Sequence, residues 1–467
     1  MIKTRIAPSP TGNLHLGTVR TALYNQLLAK SLAGKFCFRL EDTDRTRSNE
    51  DFTKEIIEGF KWLNIDWDGD MVRQSERGSH YQEYVDQLIA NSKAYKCYAN
   101  AEELEEMRKA QRAKKLPEGY DNRGRKLSTE QIKQYESDER KFVIRLNLGI
   151  DRNIEWNDVV RGPMSINTKD IGGDPIIQKF DGQVLYNFAV VVDDHAMEMT
   201  HVFRGEDHLT NTAKQIAIYQ ALDFQQPIFG HLPLIFTKDK QKLSKRKHGD
   251  IAGVDKYRKE GYLPEALVNY LIATSYSAID DTEIYSLDES AKTFDPHRIS
   301  KSPAIYDIAK LNWFNREYIS KFSHDELMAH LKPYLKYDLS VFTETQQTDL
   351  IDAIRGNLNK FDEINNNVSY FFDDEEIEEK QIKFVDEGKP VLNKLLDVLS
   401  ADGFDFSNAS QIKEEINKIG EELGLKAKQL FWPIRLALSS RSHGPDLGFV
   451  ISLLGKDKSL ARLSKHV

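Results

Sequence analysis

RIAPSPTGNLHLGTVR, residues 5–20, reads as a buried strand that runs into a phosphate-binding turn. Ile2, Ile6 and Ala7 supply a short apolar strand, and Pro8 and Pro10 forbid its continuation as helix or central strand. Thr11 and Gly12 allow a tight bend. From Thr18 the apolar positions Val19, Leu23, Leu27 and Leu28 recur at helical spacing. His15 and Gly17 therefore stand just before a helix N-terminus, where unpaired amides and the dipole favour an anion. The dinucleotide fingerprint G-x-G-x-x-G is absent, and an imidazole donor stands where that motif would place glycine.

Outward from this stretch, Gly34 closes the helix and Lys35 to Leu40 alternates as a strand ending at Glu41. Strand, helix and strand make a βαβ unit, in which ligands collect at the carboxyl ends of the strands. Arg5, Ser9 and Glu41 should then converge as a site for a zwitterion: Arg5 to fork a carboxylate, Glu41 to accept from an ammonium, Ser9 to serve either. Residues 50–63 and 79–92 read as amphipathic helices. An insertion begins at Tyr95, with a charged helix over 101–115 supported by Glu105 and Lys109, a basic loop from Asp121 to Lys126, and a strand over 141–148. The sheet is expected to resume after the Asp181-Gly182 turn, with Val184 to Val192 as a strand buried on both faces. A helix over 210–222 and a strand from Ile228 to Phe236 follow. Beyond about residue 320 the apolar positions keep helical spacing, as at Val391, Leu395, Leu396 and Leu399.

The predicted fold is α/β: a Rossmann-like parallel sheet split by an insertion and followed by an all-α C-terminal region. The expected segments are 1–94 and 183–237 for the two halves of the sheet domain and 95–182 for the insertion. Residues 238–320 make a lysine-rich loop and connecting helical domain, and 321–467 the helical region.

With 467 residues, 40% of them hydrophobic, the chain has material for several ordinary cores. The longest apolar runs, such as Phe188 to Val192, are far too short to span a membrane, and no signal-peptide core is read at the N-terminus. Two separated cysteines, Cys37 and Cys97, give no disulfide framework; a cytoplasmic chain is expected. The net charge of -8 argues weakly against nucleic-acid binding, but charge is polarised along the chain. Six of the ten residues from Lys238 to Lys247 are basic, whereas six of the seven from Asp373 to Glu379 are acidic, the latter expected to be a solvated loop without function.

Residues 15–18, HLGT, resemble the first signature of the class I aminoacyl-tRNA synthetases, usually H-I-G-H, with Thr18 in the last position. Residues 242–246, KLSKR, resemble that class's K-M-S-K-S signature, a loop whose ammonium groups stabilise charge building on phosphates. Flexible point charges such as Lys245 suit a charge delocalised over oxygens. YNF at 186–188, DDH at 193–195 and THVFRGEDHL at 200–209 are similar to the glutamate-charging family within the class. So are LEDTDRTRS at 40–48, KSPAIYDIAKLNW at 301–313 and RSHGPDL at 441–447. Asp193, Asp194 and His195 mimic metal-ligand spacing, but a structural strand end is the favoured reading.

The resemblance implies ATP-dependent activation of L-glutamate, with Mg²⁺, and its transfer to the 3' end of tRNA(Glu), with tRNA(Gln) an open second substrate. It assigns His15, Lys242 and Lys245 to catalysis, and His15, Gly17, His208, Ile235, Ser244 and Lys245 to ATP. Glutamate falls to Arg5, Ser9, Glu41, Tyr186 and Arg204, with Arg204 and Tyr186 on the side-chain carboxylate, Arg5 on the α-carboxylate and Glu41 on the α-amino group; exchange of the two arginines is the alternative. The insertion would hold the acceptor end through Arg108, Lys109, Arg112, Arg123, Arg125 and Lys126. The helical region would read the anticodon, with Arg435, Arg441 and His443 as candidates. Many bacterial relatives carry a zinc knuckle whose ligand positions fall here on Cys97, Ala99, Gly124 and Lys126; one thiol cannot hold a structural zinc, so none is expected. A monomer is the expected state. The rival readings are a shortened glutamyl-queuosine-forming homologue, against which the helical third speaks, and a catalytically silent tRNA-binding paralogue, against which His15, Lys245, Arg5, Glu41 and Arg204 speak.

Overall fold

Two prolines set the first boundary: β1 (Lys3–Ile6) stops before Pro8, and α1 (Leu16–Ser31) begins directly after His15, two residues earlier than the apolar spacing predicts. The structure is a computed structural model that describes residues 1–44, 46–149, 151–276 and 283–467, with all side chains there except those of Lys245 and Arg246. β2 (Lys35–Leu40) lies parallel to β1, with Arg5 opposite Cys37 and Ile6 opposite Phe38. α2 (Glu50–Trp62) leads to β3 (Val72–Arg73), parallel to β2, and α3 (Gly78–Ala90) follows. The left-handed residue that ends α1 is Ala33 (φ 47°), not Gly34. Gly34 is needed for another reason, because a Cβ there would meet the Ile2 carbonyl oxygen at 2.4 Å.

The inserted segment has its own antiparallel sheet. β4 (Ala94–Cys97), α4 (Ala101–Ala113) and α5 (Thr129–Ser137) precede β5 (Val143–Leu146), which pairs with β4. β6 (Asn153–Asp158) and β7 (Gly162–Asn167) form a hairpin, and β8 (Ile176–Gln178) completes the β4-β5-β8 sheet. On α4, Glu105 turns to Arg108 (3.4 Å) and Arg112 (2.6 Å), whose several nitrogens reach back to it from one and two turns further along the helix, rather than to Lys109.

The stretch Val184 to Val192, expected as a strand, is instead helical. The Asp181-Gly182 turn is present, with Gly182 at φ 84°, but it closes a short return onto β8, and α6 (Tyr186–Ala196) begins at once. Phe188, Ala189, Val190, Val191 and Val192 are all fully buried. A helix enclosed on every side shows no apolar stripe, and a short apolar run gives no period to separate it from a buried strand.

β9 (His201–Gly205) and β10 (Ile228–Leu232) then pair in parallel across α7 (Leu209–Ala221). Thr200, at the foot of β9, ties the two halves of the sheet domain: its amide donates to the Lys3 carbonyl (3.0 Å), and its Oγ1 accepts the Lys3 amide (2.9 Å). The strand expected from Ile228 to Phe236 is interrupted at Pro233, after which β11 (Ile235–Phe236) pairs with Ala304–Ile305. Phe188, Val191 and Val192 of α6, Ile216 of α7, Val202 and Phe229 form part of the central core.

The chain divides into two compact units, Met1–Tyr257 with Pro264–Ile308, and Arg258–Leu263 with Ala309–Val467. The second has only helices and turns among its described residues. Its helix Lys389–Leu399 buries Val391, Leu392, Leu395 and Leu399, leaving Leu396 half-buried. The acidic run is a mostly exposed loop, as expected, but two of its acids are partnered: Asp374 pairs with Arg462 (3.2 Å) and Lys465 (2.8 Å) of the last helix, Leu447–Ser464, and Glu375 with Arg441 (2.8 Å) of the turn before it. Among the described residues no helix is long and apolar enough to cross a membrane.

Candidate active site

The turn after β1 is closed by its own histidine. His15 has extended backbone, and its Nδ1 accepts the Gly17 amide at 3.0 Å, capping α1. A ring nitrogen that accepts carries no proton, so the imidazole proton sits on Nε2. The amides of Thr18 and Val19 return to the His15 carbonyl (2.9 and 3.0 Å). The Gly17 amide is therefore committed to His15, and what the turn offers an anion is the helix dipole beside the His15 ring at the cavity wall. A Cβ on Gly17 would lie 3.2 Å from Nδ1, which keeps glycine under the ring.

The same turn is joined to the chain that follows the lysine loop: His15 bridges Gly253, and the Val254 amide donates to the Leu14 carbonyl at 3.0 Å. The loop itself starts from β11, where the Leu243 amide donates to the Ile235 carbonyl (2.8 Å) and Lys242 bridges Phe236. Lys242 Nζ pairs with Asp207 at 2.9 Å, and both side chains are about half exposed (50% and 44%). An exposed pair of this kind contributes about 0–1 kcal/mol, so it yields readily to a phosphate.

The carboxyl ends of β1, β2 and β9 carry a buried charge cluster. Arg39, fully buried, donates to Asp194 Oδ1 (2.5 Å) and Glu41 Oε1 (3.2 Å), while Arg5 grips the same Asp194 through Nε and Nη2 (3.1 and 3.2 Å). Burial works against the Asp194 charge, but Arg39 and Arg5 overcome it and hold the carboxyl below its usual range. Glu41 goes the other way: burial raises it against the pull of Arg39 and Arg5. Asp193 faces Gln74 (2.7 Å), Arg77 (2.6 Å) and Tyr81 (2.8 Å), and His195 stacks on Phe224 with ring centroids 3.5 Å apart. All three are structural, at a helix end rather than a strand end.

Arg204 differs from both other arginines. Its Nη2 donates to Thr212 Oγ1 (2.6 Å) and Gln215 Oε1 (2.7 Å), its Nε lies 3.5 Å from His231 Nε2, and its Nη1 is buried without a partner. Burial penalises its charge, and among the described residues no carboxylate pairs with it. A guanidinium buried to 5% exposure at a cavity wall, with one nitrogen unmet, has the charge and the spare donor to receive an anion. Beside it, the Tyr186 hydroxyl meets His208 Nδ1 at 3.1 Å. Burial, and then Glu41, push Tyr186 up to about 12; burial, and then Arg204, push His208 down to about 4, so both stay neutral near pH 7.

One cavity of about 480 Å³ gathers Arg5, Ser9, His15, Gly17, Glu41, Tyr186, Arg204, His208, Ile235, Lys242 and Ser244. The Lys245 side chain lies outside the described residues. Arg20, Asp207 and Leu234 line the same space; the first two fall inside the quoted stretches without a role assigned to them, and Leu234 falls in none. Arg20 is buried and holds the Pro233 carbonyl and Ser275 Oγ (3.0 Å), fixing the interruption between β10 and β11. Arg39 is legible in part from sequence, since a strand residue two before Glu41 shares its face. A second cavity of about 910 Å³ shares Ser9, Glu41 and Tyr186 with the first and adds Thr43, Arg47 and Lys179.

In the inserted segment the expected phosphate-binding residues are not alike. Lys109 and Lys126 are exposed. Arg108 and Arg112 share Glu105, and Arg123 pairs with Asp121 (3.0 Å). Arg125 turns inward, its guanidinium forked on the buried Asp174 and reaching the Gly149 carbonyl (3.2 Å); it is a structural residue, because the enclosed carboxylate needs a counter-ion. At the knuckle positions, Cys97 Sγ lies 3.0 Å from the Tyr120 hydroxyl, which also accepts the Gly124 amide at 2.9 Å. A Cβ at Gly124 would meet Tyr95 at 2.7 Å and Tyr120 Oη at 2.8 Å, and the Arg145 guanidinium covers the Tyr120 ring at 3.6 Å. These residues do not fit a zinc ion, and among the described residues no three His, Cys, Asp or Glu side chains converge on one. Metal analysis of the purified protein should find no stoichiometric zinc, and activity should survive chelation followed by return of Mg²⁺. About one zinc per chain would show that other ligands replace the missing set.

In the helical unit, Arg441 is forked on Glu375 and touches Ser369 Oγ at 3.0 Å, while Arg435 is half-buried, its pKa lowered by burial, and His443 is exposed.

A family model described as tRNA synthetases class I (E and Q), catalytic domain, matches residues 1–313, and one described as anticodon binding domain matches residues 326–467. The chain is 40% identical to the glutamate–tRNA ligase of Natranaerobius thermophilus, over 99% of this chain and 97% of that one. It is 41% identical to that of Elusimicrobium minutum, over 99% and 98%. Among solved structures it is similar to a glutamate tRNA ligase from Elizabethkingia meningosepticum in complex with its amino acid, with a TM-score of 0.84 and 33% identity over 100% of this chain and 99% of that chain.

Proposed function

The chain belongs to the class I tRNA synthetases of the glutamate and glutamine kind, as a glutamate–tRNA ligase, and from this premise we propose how its residues divide the reaction. In the first step an α-carboxylate oxygen of glutamate attacks the α-phosphorus of ATP in line. The bond to the bridging oxygen breaks, and pyrophosphate leaves with its electrons. In the second step the terminal ribose hydroxyl of the tRNA attacks the acyl carbon, gives up its proton, and AMP leaves. No protein nucleophile is required; catalysis is positioning and electrostatic stabilisation. Mg²⁺ would arrive on the nucleotide, held mainly by phosphate oxygens and water.

Arg204 takes the side-chain carboxylate, the Tyr186 hydroxyl lies beside it, and Glu41 receives the α-ammonium. The single observation that carries this assignment is the buried Arg204 guanidinium with no carboxylate partner among the described residues and Nη1 unmet. Arg5, by contrast, already holds Asp194 with two nitrogens and has less to offer, which favours it for the weaker α-carboxylate contact. His15 Nε2–H, Lys242 and Lys245 meet the phosphates, and the backbone at Ile235 faces the base. The second cavity, which shares Ser9, Glu41 and Tyr186, is the way in for the acceptor end. Lys109 and Lys126 contact phosphates, and Arg435, Arg441 and His443 face the anticodon.

Glutamate-dependent pyrophosphate exchange, run with and without tRNA(Glu), tests the reading. Exchange is expected; its absence under both conditions would support a silent tRNA-binding paralogue. Charging assays on tRNA(Glu) and tRNA(Gln) decide the breadth of tRNA choice.

A further inference from the structure

Arg204 is held from behind by residues the reaction does not touch. Asp158, at the end of β6 and 3% exposed, accepts the amides of Val160 (3.1 Å), Arg161 (2.9 Å) and His231 (3.0 Å) on Oδ1. Its Oδ2 lies 2.5 Å from Nδ1 of His231, which is fully buried. Nδ1 therefore carries the proton. Burial, with Arg204 adding to it, outweighs the pull of Asp158 and lowers the His231 pKa, and with the Arg204 Nε–H donor 3.5 Å away Nε2 stays bare and accepts. The Thr212 hydroxyl has two acceptors within reach, His231 Nε2 at 2.8 Å and the His208 carbonyl at 3.1 Å, and the bare ring nitrogen is the nearer. With its proton so directed, Thr212 Oγ1 presents lone pairs to Arg204 Nη2 at 2.6 Å. Every bond in the line then points one way, from guanidinium to hydroxyl to imidazole to carboxylate.

We infer that Asp158 and His231 are positioning residues for glutamate: by fixing one imidazole tautomer they orient Thr212, and through it the Arg204 guanidinium that receives the side-chain carboxylate. The inference rests on the Arg204 assignment above. It also gives the inserted segment a part in amino-acid choice, because Asp158 belongs to that segment. The β6–β7 turn is seated there by the Val159 amide on the Phe229 carbonyl (2.9 Å) and by Arg161 on Glu206. The reverse tautomer would turn the Thr212 proton away to the His208 carbonyl and set Nε2–H against the Arg204 Nε–H, 3.5 Å away, two donors facing each other beside a fixed positive charge.

Asp158→Asn tests this with little change of shape. Its amide oxygen still serves the three backbone amides, but its NH₂ faces Nδ1 and forces the other tautomer. The KM for glutamate in tRNA-supported exchange should rise about tenfold to a hundredfold, the range for losing a hydrogen bond to a charged group. The KM for ATP should stay within about twofold, a split that a general loss of structure does not produce. As single substitutions, His231→Gln, whose amide reaches the Nε2 position and can accept from Thr212, should keep the glutamate KM close to the parental value; His231→Asn, which reaches only Nδ1, should not. Where Asp158→Asn fails to fold, these two His231 variants are sufficient to test the inference. In an Arg204→Cys background, Asp158→Asn should add nothing further to the glutamate KM. Additive effects, equal shifts in both substrates, or equal behaviour of the two His231 variants overturn the inference. If instead Arg204→Cys alone leaves the glutamate KM unmoved, the Arg204 assignment is what has failed.

Discussion

Lys245→Ala lowers the rate of glutamate-dependent pyrophosphate exchange by about 10²–10³ while the KM for glutamate moves by less than about threefold. The asymmetry follows from when the charge appears. In the bound ground state the phosphate charge is shared with Mg²⁺ and solvent; as the bond to pyrophosphate breaks, negative charge accumulates on the leaving oxygens, and an ammonium placed there binds the transition state better than the substrate. The loop has the footing for this. Leu243 is buried and its amide is tied to the Ile235 carbonyl, so the chain at Ser244 and Lys245 departs from a fixed point at the cavity wall. Stopped-flow measurement of adenylate formation, with glutamate binding followed separately, reads both quantities. An unchanged exchange rate removes Lys245 from the catalytic set.

Much of the architecture is legible in the sequence because each signal is local. Prolines and glycines bracket β1 and α1, alternation marks β2, and the helical third repeats its apolar spacing over residues close in sequence. What is not legible has two physical origins. The α6 stretch reads as a strand because Phe188 to Val192 is buried on every side, and burial on every side erases the difference between the two periods. The pairings are illegible because they are long-range: nothing near Arg39 points to Asp194, nothing near Arg125 to Asp174, and nothing near Arg204 to His231 and Asp158. The motifs thus locate the cavity, but not which of its arginines is already neutralised. That distinction separates Arg5 from Arg204, and only the packing of Asp194 at the end of α6 supplies it.

Arg204→Cys should reduce catalytic efficiency with glutamate much more than with glutamine. In the parent, a glutamine amide leaves the guanidinium buried without a counter-ion; in the variant, a glutamate carboxylate is left without a partner, and the penalty changes sides. Thr212 Oγ1 and Gln215 Oε1, which Arg204 now satisfies, cannot replace it, since both meet the guanidinium as acceptors and an oxygen acceptor repels a carboxylate. Tyr186, kept protonated by burial, offers a single neutral donor. Breaking a buried charge pair costs about 3–5 kcal/mol, or about two to nearly four decades in efficiency. The cysteine is far smaller than arginine, and water entering the space it leaves would screen the carboxylate and move the effect toward the lower figure. Useful glutamine activity need not appear, because the cavity walls and tRNA choice also discriminate; the claim concerns the ratio alone. Activation kinetics for both amino acids, with cognate tRNA present, measure it. A glutamate-to-glutamine ratio within a factor of about three of the parent, less than about 1 kcal/mol, would transfer the selecting role to Arg5, and Arg5 could assume it only by loosening its fork on Asp194.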